Sequence, residues 1–335
     1  MRNSKLAGRV AIITGASSGV GRAITRAFAA EGAKLGLIAR GIDGLQGADR
    51  DVRERHSEAL LLPLDVADAT AVQEAADRVV AHWGRLDIWV NDAMVSVFAR
   101  ADQITPAEFR RVTEVNYLGY VYGTLAALRH MRPRNAGVII QIGSALAYRS
   151  IPLQSAYCAS KAAIRAFTDS LRSELIHERS RIALTMLQLP AINTPQFEVV
   201  RSRLDKHPYP VPPIYQPEVI GRAAVHAVLH PSRELWIGWS TIKAILGQRV
   251  IPGLLDRYLA VRGWDSQETD DLPRGHPLRH TADNVDTPIP GDRGARGPFS
   301  SKARAFSTQL WLRTHRSWLI AGAVVALALL LFVAR

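Results

Sequence analysis

The chain has 335 residues, 47% of them hydrophobic and 21% charged, the balance of a globular protein with a sizeable core. Its single cysteine, Cys158, excludes an internal disulfide framework and suits a reducing compartment such as the cytoplasm. The net charge of +12 comes from scattered arginines, with no basic stripe, zinc-finger spacing or helix-turn-helix pattern, which argues against nucleic acid as a partner.

No secretory signal is read at the N-terminus. Residues 10–14 are apolar but too few for a signal core, and a glycine motif follows at once. That run is the first of seven short aliphatic segments predicted as strands, the others being 35–39, 59–64, 88–91, 138–142, 182–187 and 235–237. Helical periodicity fills the intervals over 21–31, 69–83, 107–129, 157–178 and 217–229. Strand and helix alternating in this way require crossover connections and hence parallel strands. The early strands are apolar throughout, as strands covered on both faces are. The expected fold class is α/β: a Rossmann-type doubly wound parallel sheet in three α/β/α layers, over residues 1–262.

Between the first strand and the first helix runs Thr14-Gly15-Ala16-Ser17-Ser18-Gly19-Val20-Gly21. Glycines there let the backbone turn tightly and approach a pyrophosphate, whose charge faces the amides of the helix N-terminus. Gly15, Ser17, Ser18, Gly19, Val20 and Gly21 are therefore candidate cofactor contacts. The second strand ends at Ala39, and Arg40 follows. An acid at that strand end would bond the adenosine ribose hydroxyls and select NAD(H). Here the acid is absent and Arg40 offers a cation to a 2′-phosphate, so NADP(H) is expected.

Ser144 stands thirteen residues ahead of Tyr157, and Tyr157 and Lys161 lie four apart, on one face of a helix. Moving a hydride between carbon and nicotinamide also requires moving a proton on or off the oxygen. A free phenol, with a pKa near 10, is a poor base at neutral pH. A neighbouring ammonium and the positive nicotinamide are expected to stabilise the phenolate. Ser144 would hydrogen-bond the substrate oxygen and hold it within reach of the phenol.

The Gly-x3-Gly-x-Gly spacing together with Ser144, Tyr157 and Lys161 resembles the short-chain dehydrogenase/reductase family, over residues 6–259. Several further roles follow from that resemblance. Asn116 resembles the family's fourth catalytic residue, which anchors a water linking the lysine to solvent. Asp65 and Val66 resemble the pair that contacts the adenine ring. Asn91 and Ala93 belong to a segment similar to the family's Asn-Asn-Ala-Gly motif, which departs from it at Asp92 and Met94. Asn91 would steady the central sheet, and Met94 places bulk where cofactor and backbone usually lie close. Pro190, Ile192 and Thr194 resemble a Pro-Gly-x-x-Thr segment, with Ala191 in place of the glycine. The backbone at Ile192 and the hydroxyl of Thr194 would then meet the nicotinamide carboxamide or the pyrophosphate. A homo-oligomer, dimer or tetramer, is also implied.

The expectation is an NADP(H)-dependent oxidoreductase interconverting a carbonyl and an alcohol on a small-molecule substrate. Residues 196–216 form a long insertion with Tyr209, Tyr215 and several prolines, expected to cover a lipophilic substrate. Two other readings stand beside it: a non-catalytic NADP(H)-binding sensor or membrane scaffold, and a related lyase or epimerase. The presence of both Tyr157 and Lys161 argues against the first. The glycine spacing, and a C-terminus without a large substrate domain, argue against the second.

The composition changes after residue 262. Residues 263–310 are rich in Pro, Gly, Asp and Arg, too poor in apolar surface to offset chain entropy, and are read as a flexible linker. His276 and His280 lie in it without the partners of a metal site. Trp318 to Ala334 carries no charge and follows Arg293, Arg296, Lys302, Arg304, Arg313 and Arg316. Residues 311–335 are therefore expected to form a membrane anchor that spans the lipid bilayer or lies in its interface, with the catalytic domain on the cytoplasmic side.

Overall fold

The computed structural model of the chain describes residues 4–270 and 282–315. Seven strands make the central sheet: β1 (Val10–Thr14), β2 (Lys34–Ala39), β3 (Ala59–Pro63), β4 (Ile88–Asn91), β5 (Gly137–Ser144), β6 (Ile182–Leu189) and β7 (Glu234–Trp236). Their order is β7-β6-β5-β4-β1-β2-β3, and every neighbouring pair is parallel. The order reverses between β1 and β4, which opens a crevice at the carboxyl ends of the strands where doubly wound sheets bind their ligands. All seven expected strands are present, with small shifts at their ends. The one that matters is β5, which runs on to Ser144 and carries that residue to the crevice.

Apolar residues of each strand point alternately to two cores. Ala11 and Ile13 of β1 belong to one core with Ile24, Phe28, Leu45 and Val219, from helices α1 (Gly19–Ala30), α2 (Ile42–Arg53) and the helix Glu218–Leu229. Val10 and Ile12 face the other with Val72, Val79, Ala126 and Leu171, from α3 (Ala69–Trp83) and the helices Gly119–Met131 and Ser155–His177. Each fully buried aliphatic side chain here contributes about 1.5–3 kcal/mol.

Local sequence sets the helix ends. The Asp68 carboxylate caps α3 by accepting from the Thr70 and Ala71 amides, and Gly84 ends it at φ 76°. The helix α4 (Pro106–Thr113) opens with a capping box between Thr105 and Glu108. The periodicity over 107–129 predicts one helix; the chain instead makes α4, a π-turn over Glu114–Leu118, and then α5 (Gly119–Met131). The wide turn lets the Asn116 side chain bond both the amide and the carbonyl of Val95. Such turns cluster at functional positions.

The segment expected to be a flexible linker is, over residues 282–310, packed on the domain. Val285 is 0% exposed, Ala295 1% and Phe299 2%. Composition misled because the segment needs no core of its own: its few apolar residues enter the domain's cores and its backbone groups pair with the domain's. A short helix, Thr308–Thr314, follows it. The apolar run read as a membrane anchor, Trp318 to Ala334, lies outside the described residues, as do His276 and His280. Among the described residues no helix is long and apolar enough to cross a membrane.

Candidate active site

The crevice begins at the turn after β1. Gly15 and Gly19 take φ of 70° and 59°, left-handed values that side chains resist. Gly21 has no such need, but a Cβ on it would lie 2.3 Å from the Gly15 carbonyl oxygen. Loop and helix touch there only because the side chain is missing. Ser18 precedes α1 without a side-chain cap, and the first turn carries no acid. No side chain of the helix's own first turn answers its dipole, and the Gly19 amide donates instead to the Gly294 carbonyl. Ser17 packs beside Gly44, and Val20 is half-buried against the core.

Asn91, at the end of β4, is fully buried. Its amide donates to Thr124 Oγ1, Gln141 Oε1 and the Tyr120 carbonyl, while its oxygen accepts from Trp89 Nε1 at 2.7 Å. It thus ties β4, β5 and α5 together. The Ala93 and Asp92 amides both donate to Thr14 Oγ1, joining this segment to β1. The buried Asp92 carboxylate accepts from the Gly21 amide, and burial pushes its pKa up against the opposing pull of Lys161. Met94 is half-buried.

The chemical residues converge from two elements. Ser144 ends β5, while Tyr157 and Lys161 lie in α6 (Ser155–His177). The Ser144 hydroxyl is hydrogen-bonded to the Tyr157 phenol, and it also accepts from the Leu146 amide. Lys161 is 2% exposed; its Nζ donates to the Ile142 carbonyl at 2.8 Å and to the Tyr120 hydroxyl at 3.1 Å, 5.7 Å from the Tyr157 ring centre. Burial lowers the lysine's pKa, and the Asp92 charge opposes that. Tyr157 keeps some exposed surface, but desolvation raises its phenol above the ordinary value, with the Ser144 bond acting the other way. Among the chain's own groups, desolvation outweighs the lowering expected from the sequence. The Asn116 amide donates to Ser160 Oγ, which in turn donates to the Tyr157 carbonyl.

Four features of this site escaped the sequence reading. Tyr120, whose ring centre is 4.8 Å from the Lys161 ammonium, stands four residues after Asn116, and that helical spacing was an available signal. Asp92 was read only as a departure in shape, whereas its effect is electrostatic. Asp65 is paired with Arg111. Arg40 donates to the carbonyls of Asn284, Val285 and Asp286 from the C-terminal segment. Thr194 packs beside Gly19, Ile192 is buried and bridges to Tyr215, and Pro190 is half-buried.

The Asp92 charge opposes the Tyr157 phenolate and supports the Lys161 ammonium. Asp92→Asn is accordingly expected to move the Tyr157 limb of the kcat/KM pH profile for alcohol oxidation toward acid. A limb that stays put or moves toward alkali would show that Asp92 does not act on the phenol.

This arrangement fits a dinucleotide: a glycine turn with no room for side chains, a helix N-terminus without a cap from Ser18, and a Ser-Tyr-Lys set at the same end of the sheet. A family model described as short chain dehydrogenase matches residues 9–205. The chain belongs to that family and is an NAD(P)-dependent dehydrogenase or reductase. Its curated relatives include the uncharacterized oxidoreductase YxnA of Bacillus subtilis (strain 168), 35% identical over 274 residues, 81% of this chain and 76% of the relative. A fatty acyl-CoA reductase of Acinetobacter baylyi is 31% identical over 224 residues, 66% of this chain and 73% of the relative. An alcohol dehydrogenase from the archaeon Thermococcus sibiricus, complexed with 5-hydroxy-NADP, has a TM-score of 0.59 at 28% identity, over 68% of this chain and 95% of that one. NAD+-bound xylitol dehydrogenase has a TM-score of 0.54, also at 28% identity, over 56% of this chain and 72% of that one. A nicotinamide dinucleotide is thus the cofactor class.

Proposed function

We propose that the chain interconverts a carbonyl and an alcohol with NADP(H), on a lipophilic substrate, using Tyr157 as acid and base. The observation that carries this is the convergence of Ser144 at the end of β5 with Tyr157 and Lys161 in α6, the Lys161 ammonium lying 5.7 Å from the Tyr157 ring centre. The nicotinamide, when bound, supplies or accepts the hydride. Ser144 orients the substrate oxygen toward the phenol. In reduction Tyr157 gives its proton to that oxygen; in oxidation the phenolate takes it back. Lys161, fixed by Ile142 and Tyr120, favours the phenolate by charge. Asn116 is a positioning residue: through Ser160 and the Val95 backbone it holds the turn of α6 that carries Tyr157 and Lys161.

The 2′-phosphate preference is supported by Arg40 following a strand end that has no acid. A lipophilic substrate is supported by the aromatic cluster that Phe197 and Tyr209 of the 196–216 insertion form with Phe98, and by the similarity to a fatty acyl-CoA reductase. The test is NADPH and NADH consumption with a panel of long-chain aldehydes and ketones. NADPH is expected to be preferred about tenfold or more in kcat/KM, and Arg40→Ala to erase the preference. Equal use of both cofactors by the unmodified chain would overturn the NADP(H) assignment.

A further inference from the structure

The C-terminal segment lies along the crevice, and its contacts can be followed from the β2 end toward β6. Val285 is fully buried in the core that holds Ile38, Leu62, Val66 and Val115. Its carbonyl accepts from Arg40 Nη1 at 3.2 Å and from Arg111 Nε at 3.0 Å, and Arg111 also pairs with Asp65. Arg40 donates as well to the carbonyls of Asn284 and Asp286. Further on, the Asp292 carboxylate pairs with Arg22 at 3.0 Å and with Arg50 at 3.2 Å, and the Gly291 amide donates to Asp43 at 2.7 Å. The Gly294 carbonyl accepts the Gly19 amide at 3.0 Å, the first amide of α1. The Gly297 amide donates to the Asn193 carbonyl, and a Cβ on Gly297 would lie 2.3 Å from the Thr194 carbonyl oxygen.

We propose that residues 283–297 are a resident competitor for the dinucleotide, and that the cofactor binds only when this strap leaves. The inference rests on the cofactor reading given above. Four of the places the strap covers are ones that reading assigns to the dinucleotide: Arg40 for a phosphate, Val66 for the base, the glycine-turn amide for the pyrophosphate, and Thr194 for the nicotinamide end. The strap supplies matching chemistry, with carbonyl oxygens on Arg40 and on the Gly19 amide and an apolar side chain in the core that holds Val66. Asp283 and Asp286 pair with Arg201, so the strap carries acids against basic residues along its length, as a dinucleotide would carry phosphates.

Two occupants cannot share these groups. A single amide hydrogen gives one good hydrogen bond, and a side chain with no exposed surface leaves no room for a base. Beyond Gly297 the strap stays fastened: the Arg304 amide donates to the Ile214 carbonyl, Arg222 donates to the Ala305 carbonyl, and Leu310 is buried in the core with α1. A released strap therefore remains close and competes at high effective concentration. The apparent cofactor affinity falls by the fraction of molecules whose groove is open.

The test uses the full chain and NADPH followed by fluorescence titration. Val285→Asp, which puts a charge in an apolar site, is expected to tighten NADPH binding about tenfold. Asp292→Asn, at a partly exposed position, is expected to tighten it by a smaller factor and guards against misfolding of the first variant. In the unmodified chain, saturating NADPH is expected to raise hydrogen exchange of the 283–297 amides. Unchanged or weaker binding by both variants, or exchange that falls with NADPH, would overturn the proposal and make the strap a wall over the bound cofactor. If neither the unmodified chain nor the variants bind NADPH or NADH, the cofactor reading itself fails, and this inference with it.

Discussion

Tyr157→Phe keeps the aromatic ring and lowers turnover by about 10²–10⁴-fold, while NADPH still binds. The Ser144 hydroxyl acts on the phenol as a hydrogen-bond partner that favours its charged form. Lys161 is committed to the Ile142 carbonyl and the Tyr120 hydroxyl, and Ser144 has an ordinary alcohol's reluctance to ionise. On the proposed mechanism phenylalanine removes the group that exchanges a proton with the substrate oxygen and little else, so the expected loss falls on kcat and spares cofactor affinity. Single-turnover kinetics beside a binding titration separates the two. Near-normal turnover in this variant would remove Tyr157 from the chemistry.

Gly21→Ala acts at the other end of the crevice and on binding instead of chemistry. Its Cβ would lie 2.3 Å from the Gly15 carbonyl oxygen, and 2.8 Å from an Asp92 carboxylate oxygen. The first neighbour is backbone, held in a left-handed turn, and cannot swing aside as a side chain would. Opening the turn is expected to cost about 1–3 kcal/mol of stability. It also displaces the α1 amides and weakens NADPH binding by about tenfold or more. Gly253→Ala is the matched control: it lies in the helix Pro252–Arg262 with nothing within 4 Å of an added Cβ, and is expected to be neutral or slightly stabilising. Equal thermal shifts in the two variants would refute the packing argument at Gly21.

The sheet was legible because its strands are buried on both faces and therefore read as unbroken aliphatic runs. The Ser144, Tyr157 and Lys161 set was legible through spacing, since strand end and helix turn bring those intervals together. The π-turn at Asn116 was not: one added residue per turn leaves the apolar period of 107–129 nearly unchanged. The strap was hidden for a different reason. Its docking uses backbone groups and isolated apolar residues such as Val285 and Phe299, so a stretch of Pro, Gly and Arg buries itself without any periodic pattern. Arg40 shows both sides of this, since its type was informative and its partners in the folded chain were not.

Central to the account is that a hydride passes between nicotinamide and a substrate carbonyl carbon in a site built around Tyr157. The direct measurement is incubation of the full chain with NADPH deuterated at the transferable nicotinamide position and a long-chain aldehyde, followed by mass spectrometry of the products. The expected product is an alcohol bearing one deuterium on the former carbonyl carbon, with none formed by Tyr157→Phe on the same timescale. Alcohol without deuterium, or labelled alcohol made equally fast by the variant, would contradict it.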